Sequence, residues 1–198
     1  MNTVTSEIRA IKGIDPVCAV AAQFPDGTFG VFRDMWYQPA AWGDFMEALS
    51  LKENLVFGSA EAVYKEENGR RHTVYFDSVP AEYLKETLLS ALENAVNNPD
   101  GAAGIPEKML SIGVDVPILG IRNVGLWFCD DGTMCTNILG TLKRFEVGQE
   151  TVRSVVEKIY ASGEGYELTV SPLPENGGEE RLETAGPPET VTHSSAAR

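Results

Sequence analysis

The dipeptide Asn68-Gly69 constrains this chain more than any other feature, because it stands between two alternating runs, AVYKEEN and GRRHTVYF. Asn-Gly supplies positive φ at both central positions of a type I′ turn, the turn whose twist matches that of paired strands. The spacing predicts a β-hairpin over residues 62–76 with a two-residue loop, setting Glu67 opposite Arg70 and Glu66 opposite Arg71. Two other stretches read the same way. Pro25, Asp26 and Gly27 close CAVAAQF onto TFGVFR in a hairpin over about 17–33, and Asp130 to Thr133 close GLWFC onto MCTNILG over about 124–140.

Apolar residues at helical spacing predict three helices. The first runs over about 44–53, with Phe45, Ala48 and Leu49 on one side and Asp44 as its N-cap. The second, about 80–97, carries Tyr83, Leu84, Leu88, Ala91, Leu92, Ala95 and Val96, and the third, about 148–162, carries Val152, Val155, Val156, Ile159 and Tyr160. An edge strand is expected within Thr3 to Ile11 and a last strand at Tyr166 to Val170. Between 101 and 123 the pattern suggests one or two helical turns after Pro106, then a strand that Pro117 confines to an edge or a bulge.

Hairpins make antiparallel pairs, and helices with a single apolar stripe must cover a sheet face. The expected fold is therefore α+β: one domain over residues 1–171, with antiparallel-dominated sheets built from the three hairpins and helices packed on them. From Ser171 the composition turns to Pro, Gly, Glu, Ser and Thr, so 172–198 reads as a flexible acidic tail.

The 198 residues carry 29 acidic and 16 basic side chains, a formal net charge of −13. That balance repels phosphate backbones and anionic lipid, so neither direct nucleic-acid binding nor membrane binding is expected. It leaves one related possibility, an acidic inhibitor that mimics nucleic acid toward a basic partner. No stretch approaches the length of a membrane span, and the N-terminal residues have no signal-peptide run, which points to the cytoplasm. Cys18, Cys129 and Cys135 are an odd set without the density of a disulfide scaffold, in keeping with reduced thiols.

Chemistry-bearing patterns are few. His72 and His193 are the only histidines, the first beside Arg70 and Arg71 on a hairpin arm where a solvated side chain is expected. Neither a metal nor a cofactor is expected, because no ligand spacing, phosphate loop or nucleophile elbow occurs. Whether Cys129 and Cys135 face each other depends on the loop between them, and both are expected to be core-facing thiols. The segment Asp34 to Asp44 places Trp36, Tyr37 and Trp42 in an irregular connection just before Phe45. These four aromatic residues are the expected binding surface, since Trp and Tyr supply large, rigid contact area.

Cys18, Asp26-Gly27, Arg33 and Asp34 occur in an order that resembles the start of N-terminal-nucleophile hydrolases of the choloylglycine hydrolase type. The resemblance covers about 18 residues. It implies a cysteine amide hydrolase in which Cys18, once N-terminal, is the nucleophile, Arg33 polarises the substrate and Asp34 assists. The reading that follows from the residues themselves is a cytosolic, non-catalytic binding or assembly protein acting through protein–protein contacts or self-association.

Overall fold

A computed structural model describes residues 7–65, 71–99, 106–162 and 165–170. The chain forms an α+β domain with two antiparallel sheets, and each of the three expected hairpins supplies a strand pair. The tail read at 172–198, His193, the Asn68-Gly69 turn and residues 3–6 of the expected first strand lie outside the described residues.

A small sheet comes first, ordered β1 (Glu7–Ala10), β2 (Ala19–Gln23), β3 (Phe29–Arg33). Gly27, at φ +84°, closes the β2–β3 turn in the left-handed conformation that Pro25-Asp26-Gly27 foretold. The Asp26 carboxylate accepts from the Thr28 N–H at 2.9 Å and from its hydroxyl at 2.6 Å, which fixes the reversal.

Helices α1 (Trp42–Ala48) and α2 (Leu51–Asn54) occupy the span where one helix was expected. Ser50 adopts φ +45° and breaks the run, and its hydroxyl donates to the Gly13 carbonyl. Asp44 is inside the first turn rather than before it, and its carboxylate accepts from the Ala41 N–H at 3.0 Å.

The large sheet is ordered β10 (Gly165–Val170), β5 (Arg71–Phe76), β4 (Val56–Lys65), β6 (Lys108–Val116), β7 (Ile121–Cys129), β8 (Thr133–Thr136), β9 (Lys143–Glu146). Every neighbouring pair is antiparallel. The β4–β5 register pairs Lys65 with Arg71, one residue away from the expected Glu66–Arg71 pairing. An odd number of residues separates Lys65 from Arg71, whereas a two-residue turn demands an even one.

The helical turns expected after Pro106 are instead strand: Lys108–Val116 alternates half-buried and buried residues at the period of two. Pro117 does not interrupt a strand. It opens a short 3-10 turn, Pro117–Leu119, joining β6 and β7 into a hairpin the turn signals did not reveal.

Helix α3 (Ala81–Glu86) continues through a wide π turn, Thr87–Ala91, and ends there. The helix expected to run to Asn97 stops early because Val96 and Asn97 are drawn into bridges with Ala41 and Phe145. Helix α4 (Gln149–Ser162) matches its expected span and carries the chain from β9 at one edge of the sheet to β10 at the other.

One face of the large sheet is the core. Ala60, Ala62, Phe76, Leu110, Ile112, Leu126, Phe128, Met134 and Phe145 point to it, and Trp42, Phe45, Leu84, Leu88, Leu92, Val152, Val155 and Ile159 cover it from the helices. Burying side chains of this size, at about 25 cal/mol per Å², is the main force holding the two layers together. The small sheet and the residues flanking it join this core through Ile11, Ile14, Cys18 and Ala19.

Candidate interaction surface

The four aromatic residues expected to form a surface separate into two environments. Trp42 and Phe45 are fully buried, their rings packed with Phe145 at 5.1 and 6.1 Å. They are core, because helix α1 begins at Trp42 and its apolar stripe faces the sheet. Tyr37 is half-buried and stacks on Phe45 at 6.5 Å. Trp36 stands out at 76% exposed. Asp34 fixes its backbone by accepting the Trp36 N–H at 2.8 Å.

Besides Trp36, the small sheet exposes apolar residues that the aromatic count alone did not reveal. Ile8 is 69% exposed, Phe29 55%, Phe32 52% and Val31 39%, all on the small sheet. Register assigns their faces. Ile8 lies opposite Ala22, and Phe32 lies opposite Val20, so these four share one face. Phe29 and Val31 lie on the other, with the Arg9 guanidinium 5.6 Å from the Phe29 ring centre. The alternation was legible in FGVFR; what could not be read is that no helix covers either face.

A polar anchor sits under the end of β3. Lys143, on β9, is 1% exposed; its ammonium donates to the Met35 carbonyl at 3.0 Å and to the Thr141 hydroxyl at 2.6 Å, and that hydroxyl donates to the same carbonyl. Burial lowers the lysine's proton affinity, partly offset by Asp34. This clamp ties the segment bearing Met35 and Trp36 to the large sheet.

Cys18 lies beside the clamp, completely buried. Burial pushes its thiol up to about 11, with Asp15 adding to the rise and a hydrogen bond from Tyr37 opposing it. A nucleophilic cysteine needs the opposite, a favoured thiolate in reach of substrate. Arg33 and Asp34 are exposed on the far side of the Asp34 N–H to Cys18 carbonyl bond, 2.8 Å, that closes the ladder. The β2–β3 pairing brings Arg33 and Asp34 beside Cys18, but Cys18 is buried while the other two are exposed.

Cys129 and Cys135 are both buried, but they face away from the helices. Met134, Phe128 and Phe145 point into the core, so Cys135, opposite Trp127 and Arg144, points to the other face. The loop between them, Asp130 to Gly132, leaves Cys129 diagonal to Cys135 rather than opposite it. The two thiols interact: Cys135, together with burial, raises Cys129, while Cys129, with Thr133 and Arg144, lowers Cys135. The ion pair of Arg144 with Asp131 lies alongside.

His72, expected in solvent, is buried and stacks on Tyr64 with ring centres 4.6 Å apart. Among the described residues no three His, Cys, Asp or Glu side chains converge as a metal ion would require. No helix among them is long and apolar enough to cross a membrane. A shallow groove between α1, α2 and the end of α3 is lined by Asp44, Glu47, Glu53 and Glu93 together with Lys52.

No protein-family model, curated protein or solved structure matches the chain.

Proposed function

We propose that this chain is a cytosolic, non-catalytic binding and assembly protein, making protein–protein contacts through the outward part of its small sheet and Trp36. One observation carries the reading: Ile8, Phe29, Val31 and Phe32 stand at 39 to 69% exposure on the two faces of the small sheet, and Trp36, three residues after its last strand, stands at 76%. Large apolar side chains left exposed on both faces of one small sheet are the kind of surface that contact sites use. The buried Lys143 clamp supports it too, since holding Met35 and Trp36 in place reduces the ordering cost of a contact.

Site-specific photo-crosslinking in the producing cells tests the reading. A benzophenone side chain at position 32 or 36 is expected to give covalent adducts with a protein, and the same group at exposed Arg153 on helix α4 is expected to give none. Recovery of the free chain alone from all three positions would remove the proposal.

A further inference from the structure

The contact surface has a strand edge, and the edge has a sequence that complements itself. Position along the ladder decides which backbone groups are free. The Phe24 N–H donates to Thr28 and the Asp34 N–H to Cys18, both at 2.8 Å, so even-numbered β3 residues bond inward to β2. Phe29, Val31 and Arg33 then turn their N–H and C=O outward, and no described strand lies beyond β3. Such an edge is a template for pairing with another chain.

Two of the other edges, those of β1 and β9, are treated differently. On β1, Glu7 and Arg9 form an ion pair at 2.9 Å, and Arg9 also donates to Gln23, placing charge along that edge. The edge of β9 is closed by the 96–98 segment, through Asn98 N–H to Arg144 at 2.8 Å and Glu146 N–H to Val96 at 3.0 Å. Only Arg33 interrupts the apolar run FGVFR on β3.

We infer that β3 pairs with β3 of a second copy of this chain, antiparallel, about a two-fold axis at Val31. This rests on the small sheet being the contact surface. In that register Val31 meets Val31 and forms a reciprocal hydrogen-bonded pair. Phe29 meets Arg33 of the other copy, a ring opposite a guanidinium, repeating the Arg9–Phe29 contact already present. Gly30 meets Phe32 of the other copy. A Cβ at Gly30 would stand 2.9 Å from the Phe24 ring, and the Phe24 and Phe32 rings are 6.2 Å apart, so two such pairs would join across the axis.

Charge selects the same place. A chain at −13 repels its copies, but residues 7–33 hold Glu7, Asp15 and Asp26 against Arg9, Lys12 and Arg33, three of each sign. Copies can therefore approach here without bringing the acidic surface together. A two-fold contact uses both edges at once and closes, so it does not propagate into fibres.

Sedimentation equilibrium of the purified chain and symmetric disulfide trapping test this together. The wild type is expected to approach twice its 21.5 kDa mass as concentration rises, and Val31→Lys, which sets two ammonium groups face to face, to remain at one chain mass with unchanged circular dichroism. Val31→Cys with oxidised glutathione, which accepts the two thiol electrons and their protons as two reduced glutathiones, is expected to give a covalent dimer, and Phe29→Cys only background. A wild type that stays at one chain mass overturns the pairing, as does equal trapping at 29 and 31. If the chain stays monomeric while positions 32 and 36 crosslink to a different protein, the contact surface stands and the self-pairing falls.

Discussion

Trp42 donates its indole N–H to the carbonyl of Leu88, 3.1 Å away, inside the core. Leu88 sits in the π turn that ends the α3 run, where the last carbonyls lack helical partners. The indole satisfies one of them from a different helix.

That pairing separates two tryptophans that look alike in the sequence. Trp42→Phe leaves a buried carbonyl unpaired and a void, and is expected to cost about 2–4 kcal/mol in urea unfolding. Trp36→Phe changes an exposed side chain and is expected to stay within about 0.5 kcal/mol of the wild type. Similar losses for the two variants would contradict the assignment of Trp36 to the surface.

Gly132 holds the β7–β8 turn against the start of α4. Its φ is +83°, a Cβ there would lie 2.8 Å from the Gln149 nitrogen, and its carbonyl accepts from both Val147 and Gly148. Gly132→Ala combines left-handed strain with a backbone collision, and a loss of about 2–3 kcal/mol is expected. The check is thermal unfolding, with Gly120→Ala, also left-handed but with open space around it, as the milder reference.

Stability should carry the signature of the Cys18 thiol. Its folded pKa, up at about 11, exceeds the ordinary value of 9.0, so the folded state keeps a proton the unfolded chain releases. The contribution is whole below about pH 9 and disappears as pH rises through 11. Between those limits the wild type is expected to lose on the order of 2 kcal/mol that Cys18→Ala does not lose. Parallel pH profiles for the two proteins would refute the burial of this thiol.

The two outer-face thiols are pushed in opposite directions by each other, Cys129 up and Cys135 down. Native protein is expected to react slowly with a thiol-alkylating reagent at all three cysteines, each being buried. Arg144→Ala thins the cover over the pair, and mass mapping should then find Cys135 alkylated before Cys129. The reverse order would contradict Cys135 being the more acidic of the pair.

Local chemistry in the sequence foretold most of this architecture. Asp26-Gly27 and Asp130 to Gly132 are turns whose residues dictate their own backbone, and α4 has an uninterrupted apolar stripe, so all three were legible. Lys108–Val116 was not: Gly104, Pro106 and Lys108 mask an alternation that shows only from Met109 onward. The end of α3 was misread because Val96 and Asn97 fit a helix locally, and their bridges to Ala41 and Phe145 come from distant chain. Among the proposed contact residues Trp36 was visible as a candidate, but Trp42 and Phe45 share its composition and differ only in tertiary placement. The exposure of Ile8, Phe29, Val31 and Phe32 depends on where the helices do not go, which no local pattern encodes.

Residue-resolved amide hydrogen exchange at two protein concentrations tests the open β3 edge most directly. In dilute solution Gly30 and Phe32, bonded to β2, are expected to be protected, while Phe29, Val31 and Arg33 exchange quickly. At high concentration all five are expected to be protected. Protection of Phe29, Val31 and Arg33 in the dilute chain, or their fast exchange at both concentrations, would contradict the assignment of this edge as the interface.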